Sequence, residues 1–147
     1  MTDSNSTSVF NTYLEAGVRS IALLNAYYPL TLDFESLIKV DYIMVNSGEF
    51  GGPENIHPFT PNRIGELAAR RESVRLGVNL MRKFGMIELE IASNGVYYRV
   101  TGEAQPYLKL MRSNYSKRLL KSAAWLASEL KTRKFRNFDL ALSGMVY

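Results

Sequence analysis

Arg71, Arg75 and Arg82 recur at i, i+4 and i+11, and Arg99 follows in a β-rich run. On a helix the first three side chains stack within about 40° of one another. With Arg99 they make a candidate nucleic-acid contact, because guanidinium groups donate well to phosphate oxygens. Glu66 and Glu72 share that helix and would repel phosphate, which favours weak, nonspecific DNA contact over sequence readout. Glu88 and Glu90 are two apart, so a strand sets both on one face. Paired carboxylates can do acid–base work, but flanked by Ile87, Leu89 and Ile91 they read as a solvent face. His57 is the one histidine and cysteine is absent. Disulfides, thiolate zinc sites and a cysteine nucleophile are thereby excluded, and no second imidazole accompanies His57 to hold a metal. Gly48-Glu49-Phe50-Gly51-Gly52 lacks the Lys and Ser/Thr that complete a phosphate-cradling loop. No nucleophile with its base emerges, so the expectation is a chain that binds, with no catalytic residue, metal or cofactor.

A chain of 147 residues suits one domain with a modest core. Its 46% hydrophobic and 22% charged residues are those of a globular protein. No run reaches the roughly 18 apolar residues of a membrane span. The start, Met1 to Ser8, is polar and poor in basic residues, unlike a signal peptide, and the expected location is the cytoplasm. Charge is unevenly spread. Residues 1–62 carry two basic groups and seven acids, whereas residues 63–147 carry sixteen and seven. The second half is therefore the one a polyanion would meet.

The elements that position these groups follow from spacing. Thr12-Tyr13-Leu14-Glu15 reads as a capping box opening a helix to about Tyr27, which Pro29 ends. Leu30-Thr31-Leu32 is short and β-capable, and Asp33 is a good N-cap for a second helix to about Asn46. The connection from Ser47 to Asn62, with three glycines and three prolines, predicts no regular element through it. A third helix spans about Arg63 to Phe84, its core face Leu67, Val74, Val78 and Met81, and Gly85 suits the C′ position. Two β-rich runs joined around Asn94-Gly95 predict a hairpin. Thr101 then caps a last helix, with Pro106 in its first turn. Leu108, Met111, Tyr115, Leu119, Ser122, Leu126 and Leu130 repeat every eleven residues, which suits one nearly straight helix.

The order helix, strand, helix, helix, hairpin, helix predicts an α+β, mainly α fold. It is a winged-helix-like domain over residues 11–133, with the hairpin as wing, a long C-terminal helix, and tails at 1–10 and 134–147. A groove-reading helix-turn-helix joins its helices through three or four residues. The much longer connection here points to a docking surface, and Phe50, Ile56, His57 and Phe59 argue for its order. A last helix of roughly thirty residues, about 40 Å long, exceeds the domain. Its far part, Trp125, Leu126 and Leu130, is expected to need a partner to bury it.

Several segments carry a family resemblance: Tyr13 to Arg19, Asp41 to Gly48, Gly51-Gly52-Pro53, Ile56-His57-Pro58, and Glu66 with Arg70-Arg71-Glu72. Over roughly residues 12–130 the chain resembles the middle component of bacterial ABC-three-component systems, the group that includes Lamassu-type anti-phage defence. The resemblance implies a non-enzymatic accessory subunit beside an SMC/Rad50-like ABC ATPase and an effector, often a nuclease. The candidate partner contacts are then Asp41, Tyr42, Gly48, Gly51, Gly52, Pro53, His57 and Pro58, with Trp125, Leu126 and Leu130. The alternative is a winged-helix DNA-binding regulator acting through Arg71, Arg75, Arg82 and Arg99.

Overall fold

The structure is a computed structural model that describes residues 13–56 and 63–133. Helix α1 (Glu15–Tyr27) leads into β1 (Leu32–Asp33), α2 (Phe34–Val45) and a 3-10 turn at Ser47–Phe50. Helix α3 (Arg63–Lys83), the hairpin β2 (Ile87–Ala92) and β3 (Gly95–Val100), α4 (Ala104–Lys109) and α5 (Asn114–Arg133) complete the order. The fold is α+β and mainly helical, with one three-stranded antiparallel sheet in the order β1-β3-β2.

Local chemistry sets the boundaries. The Asp33 carboxylate accepts from the Ser36 backbone N–H at 3.0 Å and so caps α2. At the other end of α3, Gly85 takes φ 78°. Its N–H reaches the Arg82 carbonyl while that of Met86 reaches the Met81 carbonyl, a pairing that closes the helix. Thr12 lies outside the described residues. Glu15, its expected capping partner, turns to Arg19 at 3.0 Å.

Three expectations change. The loop after α2 does contain a regular turn, Ser47–Phe50. The hairpin turn is Ser93-Asn94, with Ala92 opposite Gly95, and Gly95 opens β3 with φ 150°. The C-terminal helical run divides at residues 110–113. There the Ser113 hydroxyl accepts from the Ser116 N–H at 3.0 Å, an N-cap that starts α5 afresh. An eleven-residue apolar spacing constrains a helical face but cannot report a cap within it.

Helices α1 and α2 each pack on α3 and α5. The core joins Ile21, Leu23 and Leu24 of α1 to Ile43 and Val45 of α2, Val78 and Met81 of α3, and Leu119 and Leu126 of α5. Val74, Val78 and Met81 are buried as their spacing requires; the Leu67 side chain lies outside the described part. Helices α1 and α3 meet at glycines. A Cβ on Gly77 would stand 2.5 Å from both the Gly17 nitrogen and the Tyr13 carbonyl oxygen. Gly77→Ala gains about 1 kcal/mol of helix propensity but drives backbone against backbone, an overpacking cost of about 1–3 kcal/mol or more. The clash wins, because neither neighbour is a side chain that can swing aside. Thermal denaturation should therefore show Gly77→Ala less stable than the wild type, whereas a raised midpoint would contradict this crossing.

Candidate functional site

Residue types out of place in apolar helices come together behind the loop. Asp41 stands among Val40, Tyr42, Ile43, Met44 and Val45, and Arg19 among Val18, Ser20 and Ile21. Both are buried, as is Arg70. Burial of an unpaired charge is prohibitive, so the two arginines share the Asp41 carboxylate, and Glu15 and Glu66 supply further negative charge. Arg19 donates from Nε to Asp41 Oδ1 at 2.7 Å and from Nη2 to Oδ2 at 3.2 Å. Arg70 Nη1 reaches the same Oδ2 at 2.7 Å. Glu15 and Glu66, each four residues before its arginine, accept from Arg19 Nη1 and Arg70 Nη2 at 3.0 and 2.6 Å. The Arg70 guanidinium also lies 5.8 Å from the centre of the Tyr42 ring. Burial works against the ionised Asp41, yet the charges and hydrogen bonds of Arg19 and Arg70 outweigh it and hold the carboxyl below its ordinary range. Burial likewise opposes the charged Arg19, but Asp41 prevails and its pKa rises. Tyr115 of α5 borders this cluster, and its phenol is pushed up by burial and by Glu15. The cluster ties α1, α2 and α3 into one geometry.

The loop that leaves α2 is held by its own polar groups. Ser47 Oγ donates to the Pro53 carbonyl at 2.7 Å, and Asn55 Oδ1 accepts from the Gly48 N–H at 2.8 Å. Asn55 Nδ2 donates to Glu49 at 3.1 Å, and the Ile56 N–H returns to the Val45 carbonyl at 2.9 Å. Gly51 makes the reversal with φ 85°, and a Cβ there would meet nothing within 4 Å. Gly52 is different. A Cβ there would stand 2.6 Å from the Trp125 indole, so the glycine lets α5 lay its ring directly on the loop backbone. Arg118 of α5 donates to the Asn55 carbonyl, and Ser122 Oγ to the Met44 carbonyl at 2.5 Å.

These contacts sort the expected partner residues. Asp41 and Tyr42 are buried, at 2% and 0% exposure, and act inside the chain. Leu126 and Leu130 are also in its own core, which corrects the expectation that this stripe needs a partner to bury it. Helix α5 is shorter than the continuous helix first expected and lies against α1 and α2. Trp125 is half-buried against Gly52. Gly48 and Gly51 are exposed and Pro53 half-buried, so these present the loop outward. His57 and Pro58 lie outside the described residues.

The arginines expected to meet nucleic acid are mostly engaged. Arg71 pairs with Glu35 at 2.6 Å, Arg75 with Glu72 at 2.6 Å, and Arg99 with Glu88 and Glu90 at 2.7 and 2.8 Å. All are exposed pairs that solvent and salt can loosen, but each presents carboxylate beside its cation. Arg82 is the member of the set with no such partner among the described residues. Arg19, Arg70, Arg118 and Asn55 were not singled out as site residues by spacing. For Arg19 the signal was available: Glu15 sits one turn before it, and Asp41 interrupts the apolar run from Val40 to Val45.

The family model for the ABC-three component (ABC-3C) system Middle Component 2 matches residues 9–146, nearly the whole chain. The chain belongs to this family. No curated protein and no solved structure matches it. As a Middle Component 2 protein, the chain is one component of a three-component system, and its partners are the other components. Among the described residues no helix is long and apolar enough to cross a membrane.

Proposed function

We propose that this chain is the non-catalytic accessory subunit of a cytoplasmic SMC/Rad50-like ABC ATPase complex of the Lamassu type, linking the ATPase to an effector nuclease in anti-phage defence. In this reading it is a winged-helix-like module whose β2–β3 hairpin is the wing, and it docks on the ATPase through the face made by Gly48, Gly51, Gly52 and Pro53. His57 and Pro58, which follow in the chain, serve as further partner contacts in this reading.

The observation that carries the reading is the state of that loop. It is exposed at Gly48, Gly51 and Glu54, yet fixed by internal and α5-borne polar contacts and by the Trp125 ring. A loop already ordered loses little conformational entropy on binding, so its contacts convert efficiently into affinity. Membership in the middle-component family supports the kind of partner. The buried cluster of Arg19, Asp41 and Arg70 acts at one remove, by fixing the helix from which the loop departs. DNA regulation is the weaker reading, because three of the four arginines it relies on are already held by carboxylates.

The linking role is tested by co-expressing the three components of the system and purifying on a tag carried by the ATPase. The effector should co-elute when this chain is present and be lost when it is left out. An effector that co-elutes equally well without it would overturn the linking role.

A further inference from the structure

We propose that the free edge of β2 and the groove beside it receive an extended, acid-bearing strand of a partner protein, a surface beyond the docking loop and built from other elements. In the sheet order β1-β3-β2, β2 is paired on one side only among the described residues. The phase of its hydrogen bonds can be fixed. The two-residue turn at Ser93-Asn94 makes Ala92 and Gly95 a bonded pair, and the Thr101 N–H donating to the Met86 carbonyl at 3.0 Å gives the same parity at the far end. Alternate residues of an antiparallel strand turn their backbone groups outward, so Ile87, Leu89 and Ile91 offer N–H and C=O to the open edge. Their side chains share one face. Ile87 is buried, Leu89 half-buried, and Ile91 is 79% exposed.

Beside this edge runs an open groove of about 1060 Å³ between α3 and β2. Its apolar wall comes from Leu76, Leu80, Ile87 and Leu89. Arg82 and Lys83 also line it and have no carboxylate partner among the described residues. Glu88 lines it too, but is paired with Arg99 at 2.7 Å. Each feature specifies one property of the occupant. The outward N–H and C=O groups call for an extended backbone, the wall for alternate apolar side chains, and the two cations for carboxylates. A second copy of β2 meets this description poorly. Antiparallel pairing about Leu89 would set Glu88 of one copy opposite Glu90 of the other, a like-charge pairing across the strands.

The probe is a synthetic heptapeptide that alternates Val and Thr between terminal Asp residues, added to the full chain. It should protect the Ile87, Leu89 and Ile91 amides from hydrogen exchange. Replacing its Asp residues by Lys, or the chain's Arg82 and Lys83 by Glu, should weaken binding at least about tenfold. Ile91→Pro should weaken it equally, because this N–H points away from β3 and its loss spares the ladder. Retained protection of the Thr101 amide would show that this variant still folds. No protection by the acidic peptide, or equal binding of the Lys-ended one, overturns the proposal. So does a dimer in sedimentation that Ile91→Pro dissolves, since that would assign the edge to a second copy.

Discussion

Asp41→Asn is expected to destabilise the chain by roughly 3–5 kcal/mol, the cost of breaking a buried ion pair from one side. The substitution keeps the size of the side chain but removes the carboxylate charge that two buried guanidinium groups share, at 2.7 Å from each. Arg19, at 1% exposure, cannot turn to water, and Glu15 alone would be left to balance it. Replacing the whole cluster by apolar residues would cost far less, because the desolvation penalty would vanish with the charges. The pairing therefore fixes geometry more than it adds stability.

The same carboxylate gives a pH signature. Its ordinary pKa is 3.8, and Arg19 and Arg70 hold it lower in the folded chain despite burial. The stability this provides is complete above 3.8 and drains away as pH falls through the still lower folded value. Urea denaturation should therefore lose this contribution below about pH 4 in the wild type. In Asp41→Asn that acid-dependent loss should be missing from an already low baseline. A variant within about 1 kcal/mol of the wild type at pH 7 would contradict the role given to the cluster.

Leu126→Ala should cost about 2–5 kcal/mol in the isolated chain, because it opens a cavity in a closed core. Leu126 has 0% exposure and shares the core with Leu119 and Leu130. Were it a partner contact on an unburied stripe, the isolated chain would change by less than about 0.5 kcal/mol and only assembly would suffer. Chemical denaturation of the purified subunit separates the two outcomes without any partner.

Much of the fold was legible because local signals and tertiary packing agree. Asp33 announced a helix cap, Gly85 a helix stop, and the runs on either side of Asn94 a hairpin, and each is found where its chemistry requires. Periodicity was a poorer guide where the apolar stripe from Leu108 to Leu130 crosses Ser113. A cap is a local backbone event, and the stripe passes over it unchanged. Burial of Leu126 and Leu130 was illegible for another reason: it depends on α5 lying against α1 and α2, contacts distant in sequence. The site divides along the same line. Gly51 and Gly52 were marked by motif, but their different tasks appear only with Trp125 placed on one and open space over the other. Asp41 was marked as a contact and proves to be an internal tether.

The proposed binding of the ATPase by the loop face is tested by a direct titration. Isothermal calorimetry of this chain into the purified ABC ATPase of its system should give a stoichiometric complex. A double variant, Gly51→Asn with Glu54→Arg, should bind at least about tenfold more weakly while keeping wild-type stability. Asn tolerates the left-handed backbone of Gly51, and both positions are exposed with no packing to lose. Undiminished affinity in that variant would contradict the account.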